Sequence, residues 1–124
     1  MGLINIQAFN RIAVYVDDLA LGLRFYTEVL GFTKERELPP GVLLRATPDL
    51  VVYLEGGRRP VAEPALQART SLCFRTGEGI RASYQRLREA GVRMIGEYLA
   101  LAPDLHQFRI ADPAGNVIEF AGRP

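Results

Sequence analysis

The sequence contains no tryptophan, one cysteine and one histidine among its 124 residues. The lone cysteine, Cys73, closes no internal disulfide, so a reducing compartment is expected. The lone histidine, His106, is the one imidazole a metal could use. Neither sign of charge is in excess: 15 basic and 14 acidic residues leave a formal charge of +1. That balance argues against nucleic acid as the main partner, because phosphate binding needs a clustered basic surface. Arg58 and Arg59, and Arg81, Arg86 and Arg88, gather locally but read as a solvated loop and a solvated helix face. No apolar run approaches the roughly 20 residues that cross a bilayer. Met1 to Asn10 lack the basic start and apolar centre of a signal peptide. The expectation is a cytoplasmic protein of one domain, with neither membrane nor nucleic acid as partner.

What is present is a repeat. Ile12, Val14 and Val16 alternate with Ala13 and Tyr15 as in a strand. Asp17-Asp18 can cap a helix whose one face carries Leu19, Leu23, Tyr26 and Leu30, and Gly31 stops it. Three strands follow, at residues 32–38, 42–46 and 50–55, divided by turns at Pro39-Pro40-Gly41 and Thr47-Pro48-Asp49. The order then recurs. Leu72, Phe74 and Thr76 alternate with Ser71, Cys73 and Arg75. A helix opens after Gly77-Glu78-Gly79, carries Ile80, Tyr84 and Leu87 on one face, and ends at Gly91. A strand at 92–97, a looser stretch, a strand at 105–111, the turn 112–116 and a strand at 117–121 complete the chain. Leu19, Leu23 and Tyr26 return as Ile80, Tyr84 and Leu87, each 61 positions later, and Gly31 returns as Gly91, 60 later. The predicted architecture is α+β: two βαβββ modules, at about 9–56 and 69–122, within a single domain spanning 1–124. A Gly/Pro/Arg-rich linker joins them. Helices cover one face, and a curved sheet leaves a cleft on the other.

Strand parity sorts the side chains between those faces. Phe108, Ile110, Ile118 and Phe120 belong against the helices, which sends Gln107, Arg109, Val117 and Glu119 to the cleft. An arginine–carboxylate pair of Arg109 and Glu119 is a plausible ligand anchor there. Arg11, Ala13 and Tyr15 take cleft parity in the first strand, Val51 and Tyr53 in the fourth, and Ser71, Cys73 and Arg75 in the equivalent strand of the second module. Tyr98, in the looser stretch, is a further candidate wall. His106 shares the parity of Phe108, away from Glu119, and reads as an edge or surface residue; Cys73 reads as a small buried hydrophobe.

Three segments carry a resemblance: Ile12-Ala-Val-Tyr-Val-Asp-Asp-Leu19, Arg24-Phe-Tyr-Thr-Glu-Val-Leu-Gly-Phe32 and Asp112-Pro-Ala-Gly-Asn-Val-Ile-Glu-Phe120. In this order and spacing they resemble the vicinal oxygen chelate superfamily. It includes glyoxalase I, extradiol dioxygenases, fosfomycin-resistance enzymes and bleomycin-resistance proteins. The fold serves many reactions, so the site has to decide the function. The resemblance implies four metal-ligand positions, which fall on Arg11, Tyr53, Ser71 (with Leu72 its neighbour) and Glu119. Only Glu119 is a metal-ligand type, and Arg11 would repel a divalent ion. The resemblance also implies a homodimer with two equivalent sites.

The favoured function is a metal-free protein that binds, and sequesters, a small antibiotic or metabolite. Tyr15, Val51, Tyr53 and Tyr98 would form the walls of its site. Arg11, Ser71, Cys73, Gln107, Arg109 and Glu119 would complete it, with no cofactor. One alternative is a metal-independent lyase or isomerase with Glu119 as its catalytic acid or base and Arg11 or Arg109 facing an oxyanion. Another is a divalent-metal glyoxalase or dioxygenase with relocated ligands, Glu119, His106 and Glu55.

Overall fold

The computed structural model describes residues 2–3, 5–64 and 71–124. Part of the expected linker and the first residues of the second repeat lie outside them. Among these residues the structure has eight strands and two α-helices: β1 (Ile12–Tyr15), α1 (Leu19–Arg24), β2 (Thr33–Leu38), β3 (Gly41–Thr47), β4 (Leu50–Glu55), β5 (Leu72–Phe74), α2 (Ile80–Glu89), β6 (Arg93–Ala102), β7 (Leu105–Ala111) and β8 (Val117–Gly122). They form two four-stranded sheets of the same topology, β1-β4-β3-β2 and β5-β8-β7-β6. In each, the first strand runs parallel to the last and the other neighbours are antiparallel. The α+β class and the doubled βαβββ order are thus as the sequence predicts.

The alternation sets the core. Val14, Val16, Val52 and Leu54 from the first sheet, and Ile110, Ile118, Phe108 and Phe120 from the second, are buried in one cluster. Leu19, Leu23, Ile80, Tyr84 and Leu87 of the two helices pack on it. Burying a side chain of this size contributes about 1.5–3 kcal/mol. Aromatic rings run through both modules in contact. Tyr26 meets Phe32 at 5.5 Å, Phe32 meets Phe74 at 5.8 Å, Phe74 meets Phe120 at 6.2 Å and Phe120 meets Phe108 at 5.0 Å.

The two helices end differently. Asp18 caps α1 by accepting from the Leu21 amide at 3.1 Å. The helix then widens into one π turn over Phe25–Val29, with the Leu30 amide donating to the Phe25 carbonyl. Gly31 and Gly91 both take positive φ, 77° and 80°, as a helix stop requires. The Phe32 amide reaches back six residues to the Tyr26 carbonyl, whereas the Val92 amide reaches back five to Leu87. The π turn therefore holds the one extra residue that changes the repeat from 61 to 60 between helix face and helix stop.

Three expectations need correction. β6 continues to Ala102 through register shifts on either side of Leu99 and Ala100, so the looser stretch after residue 97 is strand. His106 is buried, not at the surface, because the Tyr98 hydroxyl closes on its Nδ1 at 2.6 Å. Cys73 is exposed, not buried, because its neighbours Leu72 and Phe74 are the β5 residues that pack on the core and it points the other way.

Candidate functional site

The helix-free face of the first sheet is built on the β1–β4 pair. Tyr53 stands beside Ala13, and Val51 beside Arg45 of β3. Tyr53 is buried although it faces away from the core. Its hydroxyl donates to the Leu38 carbonyl at 2.9 Å, and Gly41 lies against its ring, where a Cβ would come within 2.7 Å of Cζ. The Arg11 guanidinium covers the ring at 4.6 Å from the centroid. A second stack sits nearby: Arg58 lies over Tyr15 at 4.5 Å while pairing with Glu55 at 2.7 Å. Arg58 is exposed, as the reading of a solvated loop expected, and its stack on Tyr15 adds a cation to this face. Its charge alone gave no sign of this, because the stack depends on where the chain turns after β4.

The corresponding face of the second sheet carries Cys73, Glu119 and Arg109 in adjacent register, Cys73 beside Glu119 and Glu119 beside Arg109. The expected Arg109–Glu119 anchor does not form an ion pair. Glu119 Oε1 accepts from Gln107 Nε2 at 3.2 Å instead. Arg109 turns toward β6, where its Nη2 would lie 3.2 Å from a Cβ at Gly96, so the missing side chain makes room for the guanidinium. Partial burial and then the Glu119 charge push the Cys73 thiol above its ordinary range, so it stays protonated at neutral pH.

Tyr98 does not belong with these residues. It has the parity of Met94, so it packs on the helix side. Its ring meets Tyr84 at 5.0 Å and His106 at 5.4 Å, with Arg81 stacked over it. Ile95 and Leu99, opposite Arg109 and Gln107, take the helix-free face in its place.

A cavity of about 460 Å³ opens at the seam between β1 and the β5–β8 pair. Ala13, Tyr15, Tyr26, Ser71, Asn116 and Val117 are among its walls. Tyr15 and Ser71 were expected at the site; Asn116 was not, although the Asp-Pro-Ala-Gly-Asn turn marks it. Its Nδ2 donates to the Tyr15 carbonyl at 2.8 Å across the seam. The cavity does not reach Arg11, Tyr53, Cys73 or Glu119. Those side chains occupy the open faces, and no hydrogen bond or ion pair joins the Arg11–Tyr53 set to the Cys73–Glu119 set among the described residues.

The four positions implied as metal ligands do not make a donor set. A guanidinium stacked on a phenol fills two of them, and Ser71 and Glu119 supply one hydroxyl and one carboxylate. The relocated set fails too. His106 lies on the opposite face of β7 from Gln107 and bonds Tyr98, and Glu55 is taken by Arg58. No group of three His, Cys, Asp or Glu residues that could hold an ion exists among the described residues. Among the described residues no helix is long and apolar enough to cross a membrane.

Residues 8–120 match the model of the Glyoxalase/Bleomycin resistance protein/Dioxygenase superfamily. Among solved structures, a genomically encoded fosfomycin resistance protein, FosX, from Listeria monocytogenes superposes with a TM-score of 0.76 at 14% identity, covering 97% of this chain and 94% of its own. Lactoylglutathione lyase from Agrobacterium tumefaciens gives 0.68 at 22% identity, covering 94% and 93%. The virulence protein STM3117 of Salmonella typhimurium gives 0.68 at 23%, covering 95% and 98%. At these identities the likeness concerns the fold. No curated protein sequence matches significantly.

Proposed function

Since the chain belongs to the glyoxalase/bleomycin resistance protein/dioxygenase superfamily, we propose that it is a metal-free member. In this reading it binds and sequesters a small molecule, such as an antibiotic or a metabolite, without turning it over. The observation that carries the reading is the Arg11–Tyr53 stack, which puts a permanent cation and a neutral phenol where relatives would need anionic or imidazole donors. Tyr15, Val51 and Tyr53 are the walls on one sheet. Cys73, Gln107, Arg109 and Glu119 line the other, and Ser71 lies at the seam between them.

The two helix-free faces form one cleft when a second copy brings its opposite module alongside, which makes the working unit a homodimer. Support comes from Tyr15, Leu99, Leu101 and Leu105, all at least 42% exposed. Light scattering should then give twice the chain mass of 13.8 kDa; a monomer would leave each chain to form its site alone.

Elemental analysis after dialysis against Zn²⁺, Mn²⁺ and Fe²⁺ tests the central reading. Near-zero occupancy in each is expected, together with thermal-shift responses to small organic ligands that a chelator leaves unchanged. About one ion per chain would overturn it.

A further inference from the structure

We infer that the helix-free face of the first sheet holds an anion subsite. Arg11 receives the carboxylate or phosphonate head of a small molecule whose apolar body extends past Ala13 into the seam cavity. This rests on the small-molecule reading above and narrows it to one ligand charge.

The guanidinium of Arg11 meets Tyr53 through its face. A planar cation stacked in this way keeps its in-plane N–H donors free, and their fork matches the two oxygens of an oxyanion. Tyr53 is a rigid seat, fixed by its bond to the Leu38 carbonyl and by the backbone of Gly41 beneath it. Among the described residues, no hydrogen bond or ion pair engages the Arg11 side chain.

Within one chain, the described residues of this sheet offer the charge no partner. Strands β1 to β4 carry three glutamates, and each is already committed: Glu35 to Arg45, Glu37 to Lys34 and Glu55 to Arg58. The neighbouring stack of Arg58 on Tyr15 differs in that respect, because Glu55 balances it. Between the two stacks lies Ala13, about 7 Å along the strand from Arg11. Its small side chain leaves space and is itself a wall of the cavity, with Val117 across the seam. One oriented cation with no partner among the described residues, beside a recess whose near walls are Ala13 and Val117, favours an anionic head on an apolar body and disfavours a cationic one.

The test is titration of the full chain with benzoate, phenylphosphonate, benzamide and benzylamine, followed by NMR shifts. Benzoate or phenylphosphonate should bind at least about tenfold tighter than benzamide, and benzylamine weakest. The stronger of the two anions identifies the head group. Arg11→Gln should weaken anion binding about tenfold and leave benzamide unchanged. Arg11→Lys should keep part of the binding, and Arg88→Gln, an exposed charge on α2, should keep all of it. Circular dichroism checks that each variant is folded. Tyr53→Leu, which removes the seat but leaves the charge, should fall between wild type and Arg11→Gln. Equal binding of benzamide and benzoate, full anion binding in Arg11→Gln, or no binding of any anion would overturn the subsite. In the first two cases, with no metal bound, the small-molecule reading would stand.

Discussion

The Tyr26 hydroxyl donates to Asp112 Oδ2 at 2.7 Å, between two side chains that are both buried. Asp112 also accepts from the amides of Ala114 and Asn116 through Oδ1, and from Asn116 Nδ2 through Oδ2. One carboxylate therefore ties the π turn of the first module to the last hairpin turn of the second. Two of the three segments that carry the family resemblance meet here, and Tyr26 and Asp112 within them serve the fold.

Tyr26→Phe should cost about 1–3 kcal/mol, because it leaves a buried carboxylate oxygen one donor short. The variant should also respond differently to alkali. Burial, then the Asp112 charge and hydrogen bond, holds the Tyr26 phenol well above the usual tyrosine range. The folded chain thus keeps a proton that the unfolded chain releases above about pH 10. That part of the stability is complete below pH 10 and falls as pH rises beyond it, by about 1.4 kcal/mol per unit. Urea melts between pH 8 and 11 should show this slope in the wild type and lose it in Tyr26→Phe.

Gly41→Ala should destabilise by about 3 kcal/mol. A Cβ at Gly41 would lie 2.2 Å from the Leu54 carbonyl oxygen, which belongs to the sheet and has nowhere to go. Gly77→Ala is the matched comparison: nothing lies within 4 Å of a Cβ there, and the change should stay within about 0.5 kcal/mol. Thermal melts of the pair measure the difference.

Cys73 should react slowly with iodoacetamide at neutral pH despite its exposure, since its thiol is pushed up. Glu119→Gln removes the second cause of that shift and should speed the reaction about twofold. An unchanged rate would show that the two side chains do not sense one another, and a slower one that Glu119 does not hold the thiol up.

Deleting Glu28, exposed in the π turn, should give a folded protein within about 1–2 kcal/mol of wild type. The second module closes its helix with one residue fewer, so the shorter form has a working precedent in the same chain. Failure to fold would mean that the wider turn is needed to aim Tyr26 at Asp112.

Much of this fold is legible in the sequence because alternation and helix period are local signals. Val14, Phe108, Ile110 and Ile118 go to the core on parity alone. Parity also separates His106 from Glu119, and it would have placed Tyr98 with Met94 had the strand been carried past residue 97. The partners of side chains are less accessible. Glu119 could bond Arg109 or Gln107, both of the right parity, and the choice of Gln107 follows from the space that Gly96 offers the arginine. Tyr26 and Asp112 lie 86 positions apart, beyond any local pattern. The π turn did leave a trace, the slip from 61 to 60 in the repeat, whose meaning depends on the hydrogen bonds.

That slip also bears on the history of the gene. If the halves descend from one duplicated unit, they differ by a single codon within a helix. In a regular helix such a change would rotate every later residue by about 100°. The π turn absorbs it within five residues, Phe25–Val29, and returns the chain to the same stop. A bulge of this kind lets a reading frame of helical contacts survive a change in length.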